Sequence, residues 1–372
     1  MSSKRRRAPV RSAAWGVPLL ALVLLAAGCA SVDKPDGWAP PEIAEDTLYL
    51  SVDSGKITAV DPDSYATKWE FPDGEQSCGN ESPKERDLDG IYSAPIVADG
   101  KVYLGAWDKN VYGIDAATGE CLWSFETDDR IIGRVALDDA GLYVASTDGT
   151  LYVLDPETGE ETAHKDVGDV WSSPVIVDGV LYVGTMGGKL TAFDPATLAE
   201  KWDASFSVSS ALLTDPTPVN GSVLVGGIGQ ELYAVDAETG DEQWSVSGSN
   251  WFWGRPVVED GTVYATNLDG SVIAIDLATG DRLWKFATET PVRAGAVVAG
   301  GFVIAVDDQG HVYGIDPETG QLAWNGPTEI DKSVLADPYL LADGSVMIIS
   351  KGGDVFTVDP ADGRLTTIRI EG

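Results

Sequence analysis

The chain has 372 residues, of which 44% are hydrophobic, so it is long enough to bury a full core. Its net charge of −34 at pH 7 repels phosphate backbones and anionic headgroups, and we therefore expect no nucleic-acid partner. Such a charge either keeps the protein soluble or steers a cationic partner, and the sequence leaves both explanations open.

The N-terminal residues have the pattern of a secretory signal. A basic start is followed by an apolar run from Val17 to Ala27, which is too short for a stable membrane span. The run ends in LLAAGC, which resembles a bacterial lipobox, where cleavage leaves a cysteine that carries the lipids. The resemblance implies a signal peptide at 1–28, lipidation of Cys29, a short tether at 29–37, and anchoring to a membrane facing the periplasm or cell exterior. The alternative is an ordinary signal peptide with a chance cysteine.

The rest of the chain, residues 38–372, is a repeat. An aspartate that ends an apolar strand recurs every 39 to 43 residues, except for one interval of 54 that holds an insertion at about 72–90. The eight aspartates are Asp61, Asp115, Asp155, Asp194, Asp236, Asp276, Asp316 and Asp359. Each unit has four short stretches of alternating Val, Tyr and Ile, bounded by Asp-Gly and Gly turns. The sequence predicts an all-β fold, an eight-bladed β-propeller of four-stranded antiparallel blades.

The ends of the repeat bear on how the ring closes. GWAPPEIAEDTLYLSV at 37–52 aligns with VWSSPVIVDGVLYVGT at 170–185, so the first unit has all four strands. We expect closure by packing of the first unit against the eighth, because a single blade cannot bury both of its faces. A strand exchanged between the termini is the alternative.

Tryptophans recur at one place near the end of the unit, in most units four residues after the glycine of a Thr-Gly turn. The six are Trp69, Trp123, Trp202, Trp244, Trp284 and Trp324. Ala163 and Thr367 take this place in units 3 and 8. A buried tryptophan hides about 150–250 Å² of surface. We therefore predict that these six are structural and that each packs between its own outer strand and the next blade.

The segments GIDPETGQLAW, GIDAATGECLW and AVDAETGDEQW resemble the pyrroloquinoline-quinone-type propeller repeat with its tryptophan-docking motif. The similarity covers nearly all of residues 38–372. Eight such units behind a lipobox resemble the propeller lipoproteins of the bacterial outer-membrane β-barrel assembly machine. This resemblance implies a monomeric, non-catalytic scaffold that docks an envelope or membrane protein.

The same repeat builds quinone-dependent dehydrogenases, whose site includes adjacent cysteines, a calcium ion and an aspartate base. This sequence has no adjacent cysteines, and DLDG at 87–90 begins like a calcium loop but has Ala98 where a glutamate ligand is needed. We therefore expect no enzyme activity, no bound pyrroloquinoline quinone and no metal. His164 and His311 lack metal-ligand spacing and are interpreted as surface or packing residues.

Two cysteines, Cys78 and Cys121, lie in neighbouring units of the repeat. An exported chain permits a disulfide between them. Two unpaired thiols are the alternative.

Equivalent positions of the innermost strands lie on one circle around the axis of a propeller. The residues just before the proline column are Pro40, Ala94, Arg134, Ser173, Asp215, Arg255, Gly295 and Asp337. This column varies most in charge, and with Arg293 it forms either a candidate site for an anionic group or partner, or an internal salt-bridge ring.

The segment SNWFWGR contains Trp251, Phe252 and Arg255. Trp251 and Phe252 precede the innermost strand in a connecting loop and are added to the candidate binding residues. The leading hypothesis is a membrane-anchored interaction scaffold. The alternatives are a ligand-binding or sensory propeller that uses the channel mouth, and, third, a quinone-dependent dehydrogenase.

Overall fold

The computed structural model describes residues 37–53, 55–80 and 82–370. Each of the eight repeats forms one four-stranded antiparallel sheet with its strands in chain order. The sheets, numbered here as blades 1 to 8 along the chain, make an eight-bladed β-propeller, which confirms the predicted fold. No helix among the described residues is long and apolar enough to cross a membrane.

The strands are short and occupy four equivalent positions in each blade. The innermost strands are Glu42–Ala44, Ile96–Ala98, Ala136–Asp138, Val175–Val177, Thr217–Val219, Val257–Glu259, Val297–Ala299 and Tyr339–Leu340. The second strands are Thr47–Asp53, Lys101–Gly105, Gly141–Ala145, Val180–Gly184, Ser222–Gly226, Thr262–Asn267, Phe302–Val306 and Val346–Ile349. The third strands are Lys56–Val60, Asn110–Asp115, Thr150–Leu154, Lys189–Phe193, Glu231–Asp236, Ser271–Asp276, His311–Ile315 and Val355–Val358. The outer strands are Thr67–Phe71, Cys121–Glu126, Glu161–Asp166, Phe206–Ser207, Glu242–Ser247, Arg282–Ala287, Thr328–Glu329 and Leu365–Ile368.

The Asp-Gly turns join the first and second strands. At Asp99–Gly100 and Asp178–Gly179 both residues have positive φ, 51° and 71° in each turn. Two-residue hairpins need this conformation at both positions because it matches the twist of the strands, and Asp-Gly adopts it readily. The turn chemistry therefore fixes the hairpin register.

The core is divided into eight clusters, one between each pair of neighbouring blades. The second and third strands are buried on both faces because they pack against blades on both sides. The last cluster joins Leu48 and Leu50 of blade 1 to Met347 and Ile349 of blade 8. Each blade takes all four strands from one continuous segment. The ring therefore closes by apolar packing, without strand exchange.

The six repeated tryptophans dock on the next blade, and we call them the tryptophan girdle. Each indole Nε1 donates a hydrogen bond of 2.8–3.1 Å to the carbonyl that follows the recurrent aspartate of the next blade. The rings also cover the glycine of the Thr-Gly turn. A Cβ at Gly159, for example, would lie 2.5 Å from the Trp123 ring, and this glycine has a φ of 71°. This contact explains why tryptophan and glycine recur together.

The insertion in residues 72–90 packs beside blade 2. It contains a small hairpin of Glu75–Gln76 and Lys84–Glu85. Cys78 forms a disulfide with Cys121, with the two Cα atoms 4.8 Å apart. The disulfide ties the insertion to the first residue of the outer strand of blade 2.

The central channel and its aromatic mouth

The innermost strands surround a central channel. Its cavity encloses about 630 Å³ and is lined by residues from all eight blades. The lining includes the charged residues that sequence alignment placed on one circle, namely Arg134, Asp215, Arg255 and Asp337. It also includes, from each blade, the residue two positions before that circle: Trp38, Tyr92, Ile132, Trp171, Leu213, Trp253, Arg293 and Leu335. This column marks one mouth of the channel.

Arg134 belongs to an internal network. Its Nη2 lies 2.8 Å from the Glu42 carboxylate and donates at 2.8 Å to the Pro95 carbonyl. Burial raises the pKa of Glu42, and the adjacent Arg134 charge opposes that rise. The contacts join blades 1, 2 and 3. Arg134 is therefore part of an internal salt bridge, as the second interpretation of this column predicted, and its guanidinium is not free to bind a ligand.

The two aspartates of the ring also reach the preceding blade. Asp215 accepts the Ser173 amide at 2.6 Å and the Ser173 hydroxyl at 2.9 Å. Asp337 accepts the Gly295 amide at 2.5 Å. Burial raises the pKa of Asp337 to about 6, with a further rise from the Asp215 charge. These carboxylates hold neighbouring blades in register at the channel wall.

Arg255 differs from the other charged members of this ring. Its side chain is exposed within the channel. Throughout residues 37–53, 55–80 and 82–370, no hydrogen bond or ion pair engages its guanidinium. The Arg255 charge lowers the pKa of Asp337 from nearby, but the two side chains do not form an ion pair within 4 Å. Arg255 is therefore free to contact a molecule in the channel.

Aromatic and arginine side chains cluster at the mouth. Tyr92 contacts Trp38 with a ring-centroid distance of 4.5 Å and Trp107 at 4.9 Å. Arg130 lies over the Trp107 ring at 4.5 Å, and Arg293 lies over Trp253 at 4.7 Å. We define the aromatic mouth by these contacts and by the lining residue Trp171, and its members are Trp38, Tyr92, Trp107, Arg130, Trp171, Trp253 and Arg293.

Sequence reasoning missed Trp107 and Arg130. Trp107 follows the second strand of blade 2 at a place where other blades have Thr147, Met186, Leu268 or Asp308. Its amide donates to the Gly90 carbonyl at 3.0 Å, which fixes the loop beside Tyr92. A single large aromatic residue in a variable loop column was the signal that could have identified it.

The expectation that Phe252 binds a ligand is wrong. Its side chain is 1% exposed and packs with Trp244 and Ala265 in the core between blades 5 and 6. A side chain at Gly226 would collide with Phe252, because a Cβ there would lie 2.7 Å from the Phe252 Cβ. The equivalent residues of other blades are also buried and apolar: Ile91, Ile131, Val170, Leu212, Val292 and Val334. Trp251 is partly exposed in the loop next to Leu268, whose amide bonds its carbonyl at 3.0 Å.

The remaining candidates have structural surroundings. His311 bonds the buried Asp307 carboxylate at 2.9 Å, and His164 lies 2.7 Å from Glu161. In the part of the chain that the structure describes, no group of three His, Cys, Asp or Glu side chains could hold a metal. Cys29 and the proposed signal peptide lie outside the described residues.

Comparisons with known proteins show two kinds of relative. Quinohemoprotein alcohol dehydrogenase of Comamonas testosteroni is 30% identical over 137 residues, which cover 30% of this chain and 19% of the relative. Outer membrane protein assembly factor BamB of Burkholderia pseudomallei is 28% identical over 114 residues, which cover 30% of either chain. The chain thus spans less than a third of the length of each of these relatives.

A solved structure supports the same architecture. BamB from Moraxella catarrhalis has a TM-score of 0.63 and 18% identity, and the match covers 75% of this chain and 88% of that one. At this identity the likeness concerns the fold alone.

The chain therefore has the fold of an eight-bladed β-propeller built from PQQ-like repeats. A family model described as outer membrane protein assembly factor BamB matches nearly the whole chain, in the overlapping stretches 15–170, 108–218, 163–251, 204–332 and 231–368. The chain belongs to this family. Because the individual relatives include an enzyme as well as an assembly factor, the choice between these functions depends on the residues of the site.

Proposed function

We propose that this protein is a non-catalytic propeller lipoprotein, anchored through Cys29, that acts as a protein-interaction scaffold in the cell envelope. Its family and its BamB relatives support a protein partner. The sequence also lacks the adjacent cysteines of the quinone-dependent dehydrogenases. The observation that carries the proposal is the aromatic mouth, where equivalent positions of the blades hold unlike residues instead of following the common pattern.

The aromatic mouth has the composition of an interaction surface. Tryptophan, tyrosine and arginine supply most of the binding energy at protein interfaces, and here they are exposed or partly exposed in two contacting groups and at Trp171. The aromatic mouth is preorganised because backbone hydrogen bonds fix its loops, including one of 2.9 Å from the Thr147 amide to the Arg130 carbonyl. Arg130 and Arg293 favour a partner surface that presents acidic groups beside apolar ones.

Photo-crosslinking in cells tests this surface. A photoreactive residue replaces Trp107 at the mouth or, as the control, the exposed Glu160 on the opposite face. We expect position 107 to capture a defined envelope protein that position 160 does not. Capture at position 160 alone, or identical products at both positions, would place the interface elsewhere.

The anchor has its own test. Cys29→Ser removes the thiol to which lipid would be attached, and we expect the protein to move from the membrane fraction to the soluble fraction on cell lysis. Ser31→Ala, two residues later, is the matched control and should stay with the membrane. Continued membrane association of Cys29→Ser would refute lipid anchoring at this residue.

The dehydrogenase relatives give the competing hypothesis a direct assay. Pyrroloquinoline quinone and calcium are added to the purified full-length chain, and reduction of an artificial dye by a primary alcohol is followed. We expect no cofactor-dependent reduction. Catalytic turnover that requires the added quinone would replace the scaffold proposal with an enzymatic one.

A further inference from the structure

Arg255 is a channel charge that no ion pair or hydrogen bond engages among the described residues. Its counterparts are already engaged: Arg134 bonds Glu42 and Pro95, Asp215 bonds Ser173, and Asp337 bonds Gly295. No such contact holds the Arg255 guanidinium among the described residues. An exposed guanidinium without a partner can bind an anion through charge-assisted hydrogen bonds.

The surroundings of Arg255 limit the kind of partner. Its planar fork of N–H donors matches a carboxylate in a two-bond arrangement. The cavity lining also contains the apolar side chains Pro256, Val257, Val297 and Pro338. The cavity of about 630 Å³ lies within the range of small-molecule sites. A molecule with one carboxylate and an apolar body would satisfy both features.

The channel carboxylates already have partners, and none of them forms an ion pair with Arg255. Glu42 is matched by Arg134, and Asp215 is held by two hydrogen bonds. The Asp337 carboxylate already accepts a hydrogen bond from the Gly295 amide. The Arg293 guanidinium lies near the Asp308 carboxylate, and its Nε is buried without a hydrogen-bond partner.

We propose that the central channel binds a small organic monocarboxylate, with its carboxylate on Arg255 and its apolar body along the proline and valine wall. The site shares its cavity with part of the aromatic mouth, but Arg255 itself is not a member of that surface. A ligand held by blades 6, 7 and 8 would bridge three sheets.

The first test compares two probes on the unchanged full-length protein. Phenylacetate carries the required charge, and phenylacetamide has the same ring and nearly the same shape without it. Titration calorimetry should show that phenylacetate binds at least about tenfold more tightly, because a charged hydrogen-bonded pair contributes roughly 1.5–3 kcal/mol. Equal affinity of the two probes, or no binding of either, would overturn the proposal.

The second test assigns the contact to one residue. Arg255→Gln should weaken phenylacetate binding at least about tenfold, and Arg255→Lys should weaken it less because the charge remains without the fork. Arg282→Gln on the exposed outer strand of the same blade removes an equal charge and should leave binding unchanged. If Arg255→Gln retains binding, or Arg282→Gln loses it equally, the channel assignment is wrong. Crosslinking at position 107 is read independently, so failure of one proposal does not imply failure of the other.

Discussion

The tryptophan girdle and the aromatic mouth contain the same kind of residue in different arrangements. In the girdle each indole donates to an equivalent carbonyl, and the ring rests on an equivalent glycine. At the mouth, equivalent columns hold unlike residues, such as Trp253, Arg293 and Leu335. Repetition preserves the blade-to-blade contact that every unit needs. At the mouth the residues do not repeat from blade to blade, so these positions can serve a function specific to one part of the ring.

Truncation of one tryptophan from each region separates the two roles with the largest expected effect. Trp244 is 8% exposed, and its Nε1 donates at 2.8 Å to Leu277. Trp244→Ala should lower the free energy of unfolding by about 3–5 kcal/mol because it leaves a cavity between blades 5 and 6. Trp107→Ala should lower it by less than about 1 kcal/mol because this side chain is partly exposed.

Chemical denaturation of both variants, followed by circular dichroism, measures this difference. Trp107→Ala should instead lose the crosslinked partner captured from another position at the mouth, such as Trp171. Equal destabilisation by the two substitutions would mean that the mouth is also structural, and the comparison would fail.

The insertion offers a second, intermediate effect. The Cys78–Cys121 disulfide closes a loop across 43 residues. Cross-links of this kind stabilise proteins by about 2–4 kcal/mol, mainly by restricting the unfolded chain. Cys78→Ser should therefore lower the free energy of unfolding by that amount.

Reduction of the unchanged protein serves as the control for this substitution, because it opens the disulfide without altering the packing of the buried Cys78 side chain. The reduced protein and Cys78→Ser should unfold at similar denaturant concentrations. An unchanged midpoint after complete reduction would show that blade 2 holds the insertion without the cross-link.

Periodicity made most of the fold predictable. The recurrent aspartates and turns defined eight blades, and the register of the tryptophans located the girdle. Contacts around the ring were harder, because they join residues distant in sequence. Arg134 and Glu42 are 92 residues apart, and no local pattern pairs them. Trp107 and Arg130 were missed because they lie in loops, where equivalent positions of the blades hold unlike residues.

Phe252 shows a different kind of failure. Its aromatic ring suggested binding, but the equivalent residues of blades 2, 3, 4, 5, 7 and 8, such as Ile131 and Val170, are buried and apolar. The ring fills the space that Gly226 leaves open on the neighbouring blade. Volume complementarity of this kind depends on two columns at once, and neither column alone indicates it.

The smallest expected effect concerns two aspartates whose ionisation changes the stability of the fold in opposite directions. The pKa of Asp337 in the channel is raised to about 6, so its ionised form destabilises the fold, and this penalty disappears as the pH falls below that value. Asp316, exposed in a turn of the girdle, has a lowered pKa because it accepts hydrogen bonds from the Thr319 amide, the Thr319 hydroxyl and the Glu318 amide. Its ionised form stabilises the fold, and this contribution is lost as the pH falls.

Asp337→Asn should therefore be more stable than the unchanged protein at pH 8. The expected gain in the free energy of unfolding is about 1–3 kcal/mol, which allows for solvent in the channel, and it should become smaller toward pH 4.5. Asp316→Asn should be less stable at pH 8, and this difference should persist at pH 4.5, because the stabilisation is lost only below the ordinary aspartate pKa. Differences between variant and parent cancel the other titrating groups, so denaturation at the two pH values isolates each carboxylate. The same sign for both substitutions would contradict the distinction between a charge confined at the channel and one satisfied at the girdle.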